Sequence, residues 1–112
     1  STVVERTWVA QHEHDDEVGS IAIEKDGDVD QEKLNTWLSK VLGEKGIDIF
    51  RMKGFLSISG DSRRFVFQGV HMLFDAKPDR SWDDMPRRNQ LVFIGRNLDE
   101  DEMRKGFEEC LV

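Results

Sequence analysis

The stretch "IDIFRMKGFLSISGDSRRFVFQGVHMLF", residues 47–74, is the clearest indicator of the fold of this 112-residue chain. Both of its halves are rich in β-branched and aromatic residues, and the turn sequence "SGDSR" separates them. Strand-forming residues on either side of a short polar turn are typical of an antiparallel pair. The stretch therefore predicts two long strands, of which the second covers "RFVFQGVHMLF", residues 64–74.

Alternation along the first of these strands divides its side chains between the two faces of a sheet. One face is predicted to hold the apolar side chains of Phe50, Met52, Leu56 and Ile58. The other face is predicted to hold Arg51, Lys53 and Phe55. If helices cover the first face, the second face is open to a partner. The alternative is that its charges are scattered and solvated and that the long loop covers Phe55 through Trp82.

Two amphipathic helices are predicted around the strand region. Apolar residues recur at helical spacing from Leu34 to Leu42, where Asp30 is a suitable cap, and again from Met103 to Leu111. "VGSIAIE" predicts a strand before the first helix, and "QLVFIG" a central strand before the second. The order β-α-β-β-β-α predicts an α+β fold, a mostly antiparallel sheet with two helices packed on one face.

A loop of about 15 residues, "DAKPDRSWDDMPRRN", is predicted between the second long strand and the central strand. It contains both prolines of the chain, Trp82, Arg87 and Arg88. Loops of this length are often functional.

Charge is unevenly distributed along the chain, whose formal net charge is −7. Residues 1–32 hold ten acidic residues against two basic ones, so residues 1–17 are predicted to be an acidic linker before a domain at 18–112. No strong basic face is evident, which disfavours nucleic acid as a partner.

No apolar run reaches the roughly 18 residues of a membrane span. The lone Cys110 excludes an internal disulfide framework and favours a reducing, intracellular compartment, cytoplasmic or organellar.

"VFIGRNLDEDE", residues 92–102, has the strand–glycine–helix order of a phosphate-binding loop. However, the predicted helix begins with four carboxylates, Asp99 to Glu102, which would repel a second anion from the helix N-terminus. Asp99 and Glu102 form a capping box instead. No G-x-x-x-x-G-K-[ST] sequence occurs, so we expect no nucleotide site, no catalytic residue and no enzyme activity in this chain. Gly95 is expected to let the strand turn into the helix.

His12 and His14 in "HEHDD" are candidate ligands of a loose zinc or cobalt site, because imidazole and carboxylate suit these metals. The alternative is a solvated acidic linker, which is the favoured interpretation against any tight site.

The order and spacing of several motifs resemble the C-terminal domain of the CobW family of P-loop GTPases. The resemblance covers Val18 to Leu111 and depends on "RMKGF", "FQGVH", Trp82, "PRRN" and "LVFIGRNLD". It implies a parent protein that is a GTP-hydrolysing metallochaperone for zinc or cobalt. The GTP, Mg²⁺ and Cys-x-Cys-Cys metal motifs of the family lie in an N-terminal domain and do not occur in this sequence, so no cofactor is expected in this chain.

The resemblance further implies a non-catalytic regulatory or protein-interaction module. Its expected partners are its own N-terminal GTPase domain and a metalloprotein client. The candidate partner-binding residues are Arg51, Lys53, Phe55, Trp82, Arg87, Arg88 and Arg96. The alternative is a stand-alone small metal-binding or RNA-binding α+β domain, since "KGFLSI" partly matches the RNP1 pattern of RNA-recognition sheets.

Overall fold

The computed structural model describes residues 18–70 and 73–112. The predicted linker at 1–17, with His12 and His14, lies outside the described residues. The elements in chain order are β1 (Val18–Asp26), α1 (Gln31–Lys45), a 3-10 turn (Gly46–Asp48), β2 (Ile49–Ser57), β3 (Arg63–Val70), β4 (Leu73–Ser81), β5 (Arg88–Arg96) and α2 (Glu100–Glu108). The fold is α+β, as predicted.

The described strands form one antiparallel sheet in the order β1-β5-β2-β3-β4. β5 lies between β1 and β2, although it is the last strand in the sequence. Leu91 and Phe93 of this inner strand are buried, whereas Val92 and Ile94, which point to the opposite face of the sheet, are only half-buried. β1 and β4 are the two edges of the sheet.

The prediction of a single strand over residues 64–74 is wrong, and so is most of the predicted loop after it. β3 ends at Val70 and β4 begins at Leu73. The sequence pattern does not indicate β4, because this edge strand is exposed at every residue and has no apolar periodicity. Pro78 is tolerated in this edge strand, because the N–H that proline lacks would not be needed for hydrogen bonds to a further strand. Pairing with β3 places this polar segment in the sheet.

Both helices pack on one face of the sheet, as predicted. The strands contribute Ile21, Ile23, Ile49, Met52, Leu56, Phe67, Leu91 and Phe93 to the hydrophobic core. The helices contribute Leu34, Leu38, Val41, Leu42, Met103 and Phe107. Trp37 of α1 joins the layers, because its ring packs edge-on against Phe93 at 6.1 Å and Phe107 at 5.8 Å between centroids.

One core residue of β2 differs from the prediction. The pairing of β2 with β5 shifts register between Ile49 and Arg51, which marks a β-bulge. Because of the extra residue, Phe50 lies outside the core and is only partly buried. Ile49 takes the core position and has no exposed surface. Met52, Leu56 and Ile58 remain in the core as expected.

The helix caps agree with the sequence, but the expected role of Gly95 does not. Asp99 accepts a hydrogen bond from the main-chain N–H of Glu102 at 3.1 Å. A Cβ on Gly95 would lie 2.0 Å from the carbonyl oxygen of Asp48, so this glycine permits close backbone approach inside the sheet. The turn toward α2 uses Asn97, whose φ of 54° is left-handed.

Candidate interaction face

The sheet face opposite the helices carries alternate residues of the strands, aligned in three rows by the strand register. The rows are Ser20, Ile94, Arg51 and Val70; Ala22, Val92, Lys53 and Gln68; and Glu24, Gln90, Phe55 and Val66. We call these twelve residues the open face. Neither helix packs on it, and it combines half-buried aliphatic side chains with charged ones.

Arg51 and Lys53 lie next to each other on the open face, as the sequence predicted. They are two residues apart on β2, so their side chains share one side of the strand. Both are exposed, and neither forms an ion pair with any residue that the structure describes. Their neighbours Val92 and Ile94 on β5 are half-buried. The centre of the open face therefore holds two cations beside apolar surface.

Phe55 and Trp82 line one groove at the other end of the open face. This groove, which we call the Trp82 groove, has a volume of about 490 Å³ and is lined by Asp26, Phe55, Arg64, Trp82, Met85, Pro86, Arg88 and Gln90. The Arg64 guanidinium lies over the Phe55 ring at 4.1 Å from its centroid. Trp82 is only 6% exposed. The structure thus brings together three of the predicted site residues, Phe55, Trp82 and Arg88.

The two arginines of "PRRN" have different positions. Arg87 is directed into the fold, where its Nε donates to Ser57 Oγ at 2.8 Å and lies 3.2 Å from an Asp28 carboxylate oxygen. Its Nη2 donates to the carbonyl oxygens of Ile58, at 3.2 Å, and Asp61. Arg87 therefore fastens the β2–β3 turn to the segment after β1 and does not lie on the open face.

Arg88 and Arg96 lie at opposite ends of β5. Arg88 is exposed and forms ion pairs with Asp26 at 3.3 Å and Glu24 at 3.9 Å. Arg96 lies 3.6 Å from an Asp48 carboxylate oxygen and 5.4 Å from the centroid of the Phe50 ring. Arg88 thus joins the rim of the Trp82 groove, whereas Arg96 belongs to a separate cluster at the β-bulge.

Asn89 is a structural residue that the sequence prediction missed. It has no exposed surface, although it is polar and sits at the start of a strand. A signal was present, because Asn89 is in phase with the buried Leu91 and Phe93 at a spacing of two residues. Asn89 and Arg87 of "PRRN" therefore stabilise the fold and are not part of an exposed binding surface.

The pKa shifts in the described residues have local causes. The hydrogen-bonded guanidinium of Arg63 lowers the pKa of Asp61, and Lys25 lowers the pKa of Glu108 in the same way. Burial raises the pKa of the Cys110 thiol to about 11. A thiol with this pKa is protonated at neutral pH, so Cys110 is a weak nucleophile.

A metal centre is not formed by residues 18–70 and 73–112. No three side chains among His, Cys, Asp and Glu in these ranges lie close enough together to hold an ion. In the same part of the chain, no helix is long and apolar enough to cross a membrane.

Comparison with known proteins identifies the family of the chain. Residues 18–111 match the sequence model described as "Cobalamin synthesis protein cobW C-terminal domain". The chain belongs to this family. The match covers every element of the fold, from the first residue of β1 to the residues after α2.

The relatives of this CobW C-terminal domain are longer proteins. Zinc chaperone YjiA of Escherichia coli is 36% identical over 100 residues, covering 89% of this chain and 31% of that protein. Zinc chaperone CobW of Sinorhizobium sp is 34% identical over 96 residues, covering 84% of this chain and 26% of that protein. The crystal structure of Zn(II)-bound YjiA GTPase from Escherichia coli matches with a TM-score of 0.81 at 36% identity, covering 85% of this chain and 30% of that chain. This chain therefore spans less than a third of the length of these relatives.

Proposed function

We propose that this CobW C-terminal domain is a non-catalytic interaction module of a GTP-hydrolysing zinc metallochaperone. Its relatives are named zinc chaperones and one is named a GTPase, and the match covers only 18% to 31% of the relatives' length. The proposed partners are the GTPase domain of the same protein and a metalloprotein client. GTP, Mg²⁺ and zinc would bind outside residues 18–112. Residues 1–17 would form the linker between the two parts, in an intracellular protein.

The pair Arg51 and Lys53 is the observation that supports the open face as the docking surface. These two cations lie side by side on the sheet, form no ion pair with a described residue, and are next to the half-buried Val92 and Ile94. Cations that have no ion-pair partner in residues 18–70 and 73–112, beside half-buried aliphatic side chains, favour a partner that brings both carboxylates and apolar side chains. An acidic surface of the GTPase domain or of the client has this chemistry.

The alternative of an RNA-binding sheet has less support. Recognition sheets of this class stack two or three bases on exposed aromatic rings. Among the twelve residues of the open face, Phe55 is the one aromatic side chain, and Arg64 already lies over its ring.

Charge reversal in the full-length protein tests the proposal. We expect Arg51→Glu combined with Lys53→Glu to change GTP turnover or client affinity at least severalfold, because the attractive contacts would become repulsive. The stability of the domain should change by less than about 0.5 kcal/mol per site, as is usual for exposed positions. GTP turnover, client affinity and urea unfolding are measured on the same preparations.

A charge-matched control comes from the helical side of the domain. Lys40 and Lys105 are exposed there, and neither forms an ion pair with a described residue. Lys40→Glu combined with Lys105→Glu changes the net charge equally and should leave turnover and client affinity unaltered. The proposal fails if the open-face variant behaves like this control.

A further inference from the structure

The outer edge of β4 is available for pairing with a further strand. No described strand lies beyond β4, and every one of its residues is exposed, so neither helix covers it. The opposite edge of the sheet differs, because Arg104 of α2 donates to the Ala22 carbonyl oxygen of β1 at 3.3 Å. Glu108 of α2 also lies 2.5 Å from Lys25 Nζ of that strand. Natural proteins usually cover or interrupt the edges of a sheet, and here α2 does so for β1 alone.

Pro78 indicates which main-chain groups of β4 face outward. It pairs with Phe65 of β3, although it has no N–H to donate to that strand. Main-chain groups point alternately to the two sides of a strand, so Phe74 and Ala76 direct their N–H and C=O groups the same way as Pro78, away from β3. The outer edge of β4 therefore offers N–H donors at Phe74 and Ala76 and carbonyl acceptors at all three residues.

The side chains of β4 carry opposite charges on one face and apolar surface on the other. Asp75 and Lys77 lie opposite Gln68 and Val66 of the open face, and Lys77 Nζ is 3.7 Å from a carboxylate oxygen of Asp75. Phe74 points to the helical face and is 37% exposed. An acid, a base and an aromatic ring thus follow each other along an exposed edge.

We propose that β4 pairs antiparallel with β4 of a second copy of the chain, across a two-fold axis at Ala76. In this register Ala76 and Ala76 of the second copy exchange N–H···O=C hydrogen bonds. Phe74 donates to the Pro78 carbonyl oxygen of the second copy, and its ring packs against that proline on the helical face. Because proline has no N–H, the ladder ends there. The interface is isologous, so each of these contacts forms twice.

Charge selects this register among those that the hydrogen-bonding groups allow. A two-fold axis at Ala76 places Asp75 opposite Lys77 of the second copy, and opposite charges across a strand pair attract. An axis at Asp75 or at Lys77 would place like charges opposite each other. An axis at Phe74 would place Asp75 opposite Leu73, which has no counter-charge. The edge of β4 is therefore complementary to itself in one register.

The proposed dimer is weak and extends the sheet. A single strand pair forms a small interface, for which we expect a Kd between about 10 µM and about 1 mM. A two-fold axis normal to the sheet keeps the open faces of both copies on the same side. The dimer does not depend on the docking function proposed for Arg51 and Lys53.

Sedimentation equilibrium of the full 112-residue chain tests the dimer by charge reversal. Asp75→Lys and Lys77→Asp, each alone, place like charges opposite each other and should raise the Kd at least about tenfold. Both substitutions in one chain exchange the two charges and should restore the Kd to within about fivefold of wild type. Asp101→Lys, at an exposed position of α2, makes the same charge change as Asp75→Lys and should leave the Kd unaltered.

A mixture of the two single variants tests the register. Asp75→Lys and Lys77→Asp chains in equal amounts should form a heterodimer, because each reversed charge then meets its opposite in the other chain. Neither variant should associate comparably alone. If a single variant does not fold, Ala76→Pro replaces it, because this change removes an outward N–H and should also raise the Kd at least about tenfold.

Amide hydrogen exchange locates the contact. The N–H groups of Phe74 and Ala76 should exchange more slowly at protein concentrations above the Kd than below it, and this dependence should vanish in Asp75→Lys. Three results would overturn the proposal. The first is a chain that stays monomeric at about 1 mM. The second is a dimer that single charge reversal does not weaken, which would place the contact elsewhere on the chain. The third is a mixture of the single variants that associates no better than each alone.

Discussion

Asn89 Oδ1 accepts a hydrogen bond from the main-chain N–H of Ser57 at 2.7 Å, and neither residue has any exposed surface. The Asn89 Nδ2 donates to the carbonyl oxygens of Lys25 at 3.1 Å and Gly27 at 2.9 Å. One amide side chain on β5 thus satisfies main-chain groups at the end of β1, in the turn after it, and at the end of β2. Asn89 therefore joins β1, β2 and β5 beside Ser57 and Asp28, the residues that Arg87 contacts.

Replacing Asn89 with alanine should lower the free energy of unfolding by about 3 kcal/mol, because a buried N–H and two carbonyl groups would lose their partner. Urea denaturation followed by circular dichroism measures the change. Arg88→Ala, at the adjacent exposed position, should cost no more than about 0.5 kcal/mol. A loss below about 1 kcal/mol for Asn89→Ala would show that water replaces the amide.

Two glycines should respond oppositely to alanine. A Cβ on Gly54 would lie 1.8 Å from the carbonyl oxygen of Gln90, so Gly54→Ala must displace the β2–β5 backbone and should lower the melting temperature strongly. Gly43 is exposed in α1, where a Cβ would meet nothing within 4 Å apart from its chain neighbours and the backbone of its own helix, so Gly43→Ala should stabilise the helix by up to about 1 kcal/mol. Thermal unfolding of both variants checks the contrast, and equal melting temperatures would contradict it.

The thiol of Cys110 should be almost unreactive in the folded chain. Burial raises its pKa to about 11, so at pH 8 only about one thiol in a thousand is ionised, and the thiolate is the nucleophile. Alkylation by iodoacetamide at pH 8 should be at least about a hundredfold slower than in urea, where the thiol regains its ordinary pKa. Rapid labelling of the folded chain would show that Cys110 is accessible.

The chain on its own should neither bind nor hydrolyse GTP. It contains no phosphate-binding sequence, and the first turn of α2 carries Glu100, Asp101 and Glu102. These carboxylates oppose an anion at the helix N-terminus. Titration with labelled GTP and Mg²⁺ should give no saturable signal, and a micromolar isotherm would refute the prediction.

Zinc or cobalt should bind the chain weakly, with His12 and His14 as the main donors. Two imidazoles and flexible carboxylates lack the preorganised ligand set of a structural zinc site. Calorimetry should show that His12→Ala combined with His14→Ala removes the weak binding. Tight binding that survives this double substitution would place the metal site elsewhere.

Elements with a local pattern could be predicted from the sequence. The helical spacing from Leu34 to Leu42 and the caps at Asp30 and Asp99 predicted α1 and α2, and the caps form as expected. The apolar run of β5 predicted an inner strand. These elements can be predicted because the residues that define each of them are close together in the sequence and recur with the period of the helix or strand.

Features that depend on a distant partner became known only from the tertiary structure. β4 is a strand because β3 lies beside it. Phe50 leaves the core because the pairing of β2 with β5 contains a bulge. Arg87 enters the fold because Ser57 accepts its hydrogen bond and Asp28 forms an ion pair with it. Arg88 remains on the surface. The groups that place Phe50 and Arg87 are far away in the sequence, so no local pattern records these positions. β4 pairs with the neighbouring β3, but it is exposed at every residue and has no apolar periodicity that could indicate a strand.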